Sequence, residues 1–338
     1  MININNTINE GYLLSITLAT YNVAPFIRES LDSILNQTFS DFELICLDDA
    51  STDGTAAILQ EYAEKDQRIR LILKTKNKGL AVARNQCLAE AKGKYVTFLD
   101  GDDLYDASLF KKAVAMAEKD KADMVLWDYV TFYQNKEIEA LRVKTSELHA
   151  IDPANKIKLL QRPAFTWVKL LRTEKVRELN IYFPPGFTRQ DIPVHWHLIT
   201  KLDKISLLPE RLSFYRQQPD ATTAKKDGKL FHLVYVTDIV ERYLKDHHLY
   251  QQYRNVFLNQ RLNFFAGMYD NIKPELKEEA LQLIKERITP ELCAYLKEDH
   301  DLRPQTRYFV SALQGSVKGK LQLKMWNWSR FIYRKLKS

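Results

Sequence analysis

The sequence predicts an α/β domain built on a mainly parallel central sheet, followed by a helical C-terminal region. Three observations carry that expectation. Between residues 13 and 132, short apolar, β-branched runs alternate with stretches whose apolar residues recur at helical spacing, the pattern of β-α units. Three of the runs end in polar clusters, Thr20-Tyr21-Asn22, Asp48-Asp49 and Asp100-Gly101-Asp102-Asp103, which a parallel sheet would align along one edge. Beyond about Leu230 the spacing is helical and carries no chemical motif. A chain of 338 residues is expected to hold about two domains, placed here at 1–225 and 226–338.

Each element follows from local signals. Leu13 to Thr20 is a short apolar strand, Asn22 to Pro25 is turn chemistry, and Ile27, Leu31, Ile34 and Leu35 give Phe26 to Asn36 a helical period. Phe42 to Leu47 is a second strand, and Asp48 to Gly54 leads into a helix over Thr55 to Lys65. Ile69 to Leu73 is a third strand, Asn77-Lys78-Gly79 a turn, and Leu80 to Ala91 a helix bearing Arg84 and Asn85. Tyr95 to Leu99 then feeds into the Asp100 cluster, followed by an amphipathic helix to about Lys119 and a strand over Asp123 to Phe132. Residues 134–153 have mixed charge and little period, and are expected to form a flexible excursion. Helices are expected over Ile192 to Ile199, from Leu233 through Val240, and over Tyr250 to Met268, Lys273 to Ile288 and Pro290 to Leu296.

Composition narrows the function classes. The chain is 45% hydrophobic with 17 Tyr, 16 Phe and 5 Trp, enough for a sizeable core. Its net charge of +7 favours anionic partners in general; no nucleic-acid module accompanies it, so nucleic acid is not an expected partner. Cys46, Cys87 and Cys293 lack Cys-x-x-Cys spacing, which argues against a zinc site or disulfide framework and fits a reducing cytoplasm. Met1 to Asn6 has no basic flank before an apolar core, so no secretory signal is expected, and no apolar run is long enough to predict a membrane span. Neither a Gly-x-Gly-x-x-Gly nor a Gly-Lys-Ser/Thr motif follows a strand, which excludes dehydrogenase and P-loop readings. Ala19 to Pro25 contains no glycine, which argues against a nucleotidyltransferase of similar fold.

The three clusters suggest one site. A tyrosine ring can stack on a nucleobase, and an aspartate can accept a hydrogen bond from a base N–H. Carboxylates spaced as in Asp100 to Asp103 can grip a hard divalent cation, Mg²⁺ or Mn²⁺, whose other ligands are water and a substrate's phosphates. Taken singly, each feature has a plainer reading: an Asp-Gly turn after a strand, a core-edge tyrosine, a helix-capping aspartate. Lys169 can offset diphosphate charge or be a surface lysine. His195 and His197, two residues apart on a helix, point about 200° apart and cannot share one ion.

Taken together, Tyr21-Asn22, Ser33 to Thr38, Asp48 to Asp53, Asn77-Lys78-Gly79 through Ala83-Arg84-Asn85, and Phe98 to Asp103 resemble the family 2 glycosyltransferases of GT-A fold. The resemblance covers about residues 13 to 220. It implies that Thr20, Tyr21 and Asp49 lie at the uridine of a UDP-sugar donor, with Arg84 near the nucleotide. It also implies that Asp100, Asp102 and Asp103 form the Asp-x-Asp site, with Asp102 as metal ligand. Trp167-Val168-Lys169-Leu170 and Gln190-Asp191 resemble later family motifs, which makes Asp191 the candidate catalytic base. Gln190 stands where the family has glutamate, so Asp191 is expected to be more acidic than with a carboxylate beside it. Asp191 is equally suited to stabilise the start of a helix. Ser213-Phe214-Tyr215-Arg216, followed by Pro219, Thr222 and Thr223, resembles the closing strand and mobile loop, with Arg216 at the donor diphosphate.

The resulting expectation is an inverting, metal-dependent glycosyltransferase of hexosyltransferase type, acting on a surface glycan or glycolipid acceptor such as capsule or lipopolysaccharide. A non-catalytic nucleotide-sugar or glycan-binding protein is the rival, for which Gln190 leaves room. Residues 318–338 carry seven Lys or Arg and no acidic residue, interleaved with Trp326, Trp328, Phe331 and Tyr333. Such a segment suits an interfacial helix on an anionic leaflet, placing the protein on the inner face of the membrane, or a basic helix packed on its own domain.

Overall fold

The computed structural model describes residues 12–133, 146–218, 226–295, 302–313 and 315, and the chain divides into two compact units, Met1–Ala221 and Thr222–Ser338. The expectations for Met1 to Asn6, most of the 134–153 excursion, Pro219, Thr222 and Thr223, Leu296 and the basic segment 318–338 fall outside the described residues.

The strands of the first unit are β1 (Leu14–Thr20), β2 (Phe42–Asp48), β3 (Ile69–Leu73), β4 (Tyr95–Asp100), β5 (Leu104–Tyr105), β6 (Met124–Phe132), β7 (Lys169–Arg172) and β8 (Ile205–Arg216). They form one sheet in the order β3-β2-β1-β4-β7-β6-β8-β5. Helices α1 (Ala24–Leu35), α2 (Thr55–Lys65), α3 (Leu80–Glu90) and α4 (Leu109–Asp120) lie between the early strands; α5 (Lys156–Leu160), α6 (Thr173–Glu178) and α7 (Asp191–Lys201) come later. Every residue of β2 is buried, which is why it reads as a continuous apolar run rather than an alternating one. Helix α1 buries Ile27, Leu31 and Ile34, the stripe its spacing predicts. It begins two residues earlier than expected because Pro25 fits the first turn, where no backbone N–H is needed.

The sheet is mainly parallel, as expected, with two short antiparallel strands that the sequence did not predict. Strands β3, β2, β1 and β4 are parallel, as are β6 and β8, but β7 runs antiparallel to both β4 and β6, and β5 antiparallel to β8. The four residues of β7 are too few to show a period, and the two of β5 fewer still. The alignment of strand ends is as expected: Thr20 pairs with Asp48, and Ala19 with Asp100.

The second unit is helical: α8 (His232–Asp246), α9 (Tyr250–Asn271), α10 (Lys277–Lys285), α11 (Pro290–Tyr295) and α12 (Pro304–Leu313). The expected helix from Lys273 starts late because Pro274 opens a separate 3₁₀ turn, Pro274–Leu276. Arg261 on α9 is buried and donates to Asp238 (2.5 Å) and Glu241 of α8, and Arg287 also donates to Asp238 (2.8 Å). Among the described residues, no helix is long and apolar enough to cross a membrane.

Candidate active site

Two of the strand-end loops are sewn together. Asn22, at a φ of 52°, accepts from the Thr52 backbone N–H (2.8 Å) and donates its own backbone N–H to Ser51 Oγ (2.9 Å). Val23 N–H donates to Thr55 Oγ1 (2.9 Å) and Ala24 N–H to Asp53 Oδ2 (2.9 Å). Asp48 accepts from the Ser51 N–H (2.8 Å), while Asp49 accepts from Lys78 N–H (3.0 Å) and Gly79 N–H (2.7 Å), pinning the turn ahead of α3. Tyr21 stands beside this framework with its side chain 49% exposed, open for stacking. Thr20 is buried and donates to Leu47 O (3.3 Å) and Asp48 Oδ1 (3.3 Å), so it ties β1 to β2 at the strand ends.

The acidic turn after β4 approaches α1 so closely that a Cβ at Gly101 would lie 3.0 Å from both Ile27 Cδ1 and Thr20 Cγ2. Its three carboxylates have different surroundings. Asp100 Oδ1 accepts from Arg84 (2.7 Å). Asp102 accepts from Gln218 Nε2 (3.1 Å), a contact that sequence reasoning missed. Asp103 is fully buried; its Oδ1 accepts from the Arg216 backbone N–H (2.8 Å), and its Oδ2 has no partner. Burial, then the charge of Asp100, pushes the Asp102 carboxyl up to about 6, and burial with the charges of Asp102 and Asp100 pushes Asp103 well above the usual range. Asp103 therefore anchors the end of β8 through Oδ1. The Arg216 guanidinium donates to the Asp102 carbonyl (2.9 Å) and to Glu29 (2.6 Å), and lies against the rings of Phe132 and Phe26.

The centre of the site is Arg84. Only 2% exposed on α3, it donates through Nη1 to Asp191 Oδ1 (2.6 Å) and through Nη2 to Asp100 Oδ1 (2.7 Å). Burial alone would lower its pKa; the charges of Asp191 and Asp100 outweigh that and raise it. The next residue, Asn85, exchanges two hydrogen bonds with the Phe183 backbone (2.8 and 2.9 Å), and the Phe183 ring lies under the Arg84 guanidinium, 5.5 Å from its centre. Phe183 carries no sequence signal beyond preceding Pro184-Pro185-Gly186.

Asp191 is the first residue of α7 and follows Arg189, which is held at a φ of 65°. The Asp191 carboxyl lies above its ordinary value. Burial raises its pKa, and Asp100 replaces the carboxylate that Gln190 lacks; Arg84 and Lys169 only partly offset this. Lys169 is not the surface lysine of its plainer reading. It is fully buried, its ammonium donates to the carbonyls of Ala164 (3.2 Å) and Phe165, and burial lowers its pKa to about 7. His195 is buried with Nε2 on Leu159 O (3.1 Å), as expected of a packed histidine rather than a ligand.

Among the described residues, no group of three or more His, Cys, Asp or Glu side chains can enclose a metal. Mg²⁺ needs only one or two carboxylates when a substrate's phosphates complete its shell. Asp102 and Asp103 show the excess of buried negative charge that a cation would relieve, with an unpartnered oxygen on Asp103. The acidic turn is chemically suited to a divalent cation completed by a substrate's phosphates.

Residues 15–174 match the family described as Glycosyl transferase family 2. The chain is 31% identical over 311 residues to an uncharacterized glycosyltransferase of Bacillus subtilis, EpsJ, covering 88% of this chain and 83% of that protein. It is 25% identical over 244 residues to the glycosyltransferase GlyG of Streptococcus pneumoniae, covering 69% of this chain and 79% of that one. Among solved structures, S. aureus TarS superposes with a TM-score of 0.65 at 20% identity, over 91% of this chain and 54% of TarS. The TarS fragment 1–349 in complex with UDP-GlcNAc gives a TM-score of 0.58 at 20% identity, over 89% and 92%. The sheet, the strand-end loops and these likenesses agree: the chain belongs to glycosyltransferase family 2 and has the GT-A fold.

Proposed function

We propose that this glycosyltransferase moves a sugar from a UDP-linked donor to a hydroxyl of a surface glycan, with inversion at the anomeric carbon. One observation carries the reading. Asp191 and the acidic turn, far apart in sequence, share the guanidinium of Arg84, whose bond to Asp191 spans 107 residues. A base candidate and a donor-binding turn thus stand side by side. The names of the relatives support glycosyl transfer, and the TarS complex with UDP-GlcNAc supports a uridine donor.

Asp191 Oδ1 is held by Arg84, and no hydrogen bond from the described residues occupies Oδ2. That oxygen accepts the proton of the acceptor hydroxyl as the hydroxyl oxygen bonds to the anomeric carbon. The bond from that carbon to the diphosphate breaks on the opposite face, and its electron pair leaves with UDP. A carboxylate of raised pKa is, in its ionised form, a stronger proton acceptor, and such help is worth about 10²–10⁴-fold. Asp102 would hold a divalent cation, which would supply Lewis-acid neutralisation of the departing diphosphate. Tyr21 stacks on the uracil, and Asp49 accepts from its N–H with the lone pairs the turn leaves spare. The basic segment 318–338 meets an anionic leaflet, which brings a glycolipid acceptor to the enzyme.

Two measurements test this. UDP should bind in calorimetry with a requirement for Mn²⁺, and Asp191→Asn should keep that binding while losing transfer; transfer at the parent rate would refute the base. Deletion of the residues after Gly315 should release the protein from vesicles containing anionic lipid, and unchanged sedimentation with them would remove the membrane contact.

A further inference from the structure

We infer that Arg84 is a positioning residue: it aims the base Asp191 by gripping one carboxylate oxygen while braced on Asp100 of the donor turn. The inference rests on the reading of Asp191 as base and goes beyond it, because it assigns the base's orientation to a different element of the fold.

The geometry around Arg84 has the rigidity such a role needs. Its guanidinium rests on the Phe183 ring; Phe183 is locked to Asn85 through both of its backbone groups and packs edge-on against Phe98 of β4, with ring centres 5.1 Å apart. Nothing in the loop before α7 does the same for Asp191. The helix has no side-chain cap, and Asp191 makes no hydrogen bond through Oδ2 to the described residues. The charged groups facing Asp191 are Arg84, Asp100 and the buried Lys169, and Lys169 is spent on the carbonyls of Ala164 and Phe165. Arg84 alone of these bonds directly to the base. Only a planar fork can serve two carboxylates from fixed directions, so lysine would keep the charge and lose the aim.

The test uses the full chain, the UDP-sugar giving the largest thermal shift with Mn²⁺, and water as surrogate acceptor, with UDP release as the readout. Arg84→Lys should bind UDP within about threefold of the parent and lose about 10²-fold in kcat, the scale of a displaced reacting group. The acid limb of its kcat profile should move to higher pH, because a weaker grip leaves Asp191 easier to protonate. Arg84→Ala should regain turnover on addition of guanidinium ion at millimolar concentration. Parent-like kcat with an unmoved acid limb in Arg84→Lys would overturn the inference. So would losses of UDP affinity and kcat of equal size, which would assign Arg84 to donor binding. Asp191→Asn, run beside them, separates the two claims: parental UDP release there sinks the base itself, whatever Arg84 does.

Discussion

Each unit buries an arginine between two carboxylates, yet Arg84 and Arg261 belong to different kinds of site. Arg261 lies on α9, and its partners Asp238 and Glu241 are both on α8, 23 and 20 residues away. Its acids are shared with further cations, Arg287 at Asp238 and Lys245 at Glu241. Burial would raise the Glu241 pKa, but Lys245 and Arg261 outweigh it, and the carboxyl is held below its ordinary value. Around Arg84 the balance is reversed. Asp100 is followed by two more carboxylates, Asp102 and Asp103, and the Asp191 carboxyl is raised despite its arginine. The helical network is a closed account of charge, whereas the strand-end network carries a surplus of negative charge at a surface open to ligand. Burial of an arginine does not separate structural from functional networks; the surplus does.

The comparison can be broken in order of effect. The largest is at the base: Asp191→Asn should lower transfer by about 10²–10⁴-fold, while Glu241→Gln leaves kcat at the parent value. Equal losses in both would erase the distinction. Next, Arg261→Met should cost about 2 kcal/mol in urea unfolding, since it strands two carboxylates that are themselves partly exposed, with unchanged turnover per folded molecule. Asp102→Asn should abolish Mn²⁺-dependent UDP binding yet stabilise the metal-free protein by about 1 kcal/mol at neutral pH. The sign follows from a folded carboxyl raised to about 6: its charge costs stability as pH climbs from the ordinary carboxylate value through 6, so the gain should vanish near pH 4. Thermal unfolding with pH reads this directly. The smallest effect is at Tyr21, where Ala should weaken UDP binding by about 1 kcal/mol through lost stacking, read by calorimetry.

How much of this was legible depends on range. Strands β1 to β4 and their polar ends were readable because each is a contiguous run with its own turn chemistry, and the parallel register of Thr20, Asp48 and Asp100 follows from them. Strand β7 was not, since its four residues owe their conformation to partners on β4 and β6. The same distance hid the role of Lys169, whose sequence neighbours give no sign that it points inward under the site. Arg84 was legible as a position but not as a bridge, because Asp191 lies 107 residues further on. The acidity of Asp191 was judged from its neighbour Gln190, whereas burial and the charges of Arg84 and Asp100, all brought about by the fold, set its direction.

The placement of β7 between β4 and β6 also sets an order of assembly. During synthesis, β1 to β4 and β6 all emerge before Lys169, and until Lys169–Arg172 arrives β4 lacks a neighbour on one side and β6, whose other partner β8 comes later still, on both. Those open edges belong to strands buried almost throughout in the finished sheet, and such edges invite pairing with other chains. A chain stopped at residue 165 would retain every carboxylate of the acidic turn and still be expected to aggregate rather than bind nucleotide. The short strand that joins β4 to β6 precedes Asp191, whereas β8, which covers the other edge of β6 and holds Asp103 through Arg216, follows it, so sheet and acidic turn are complete only once Arg216 has been made.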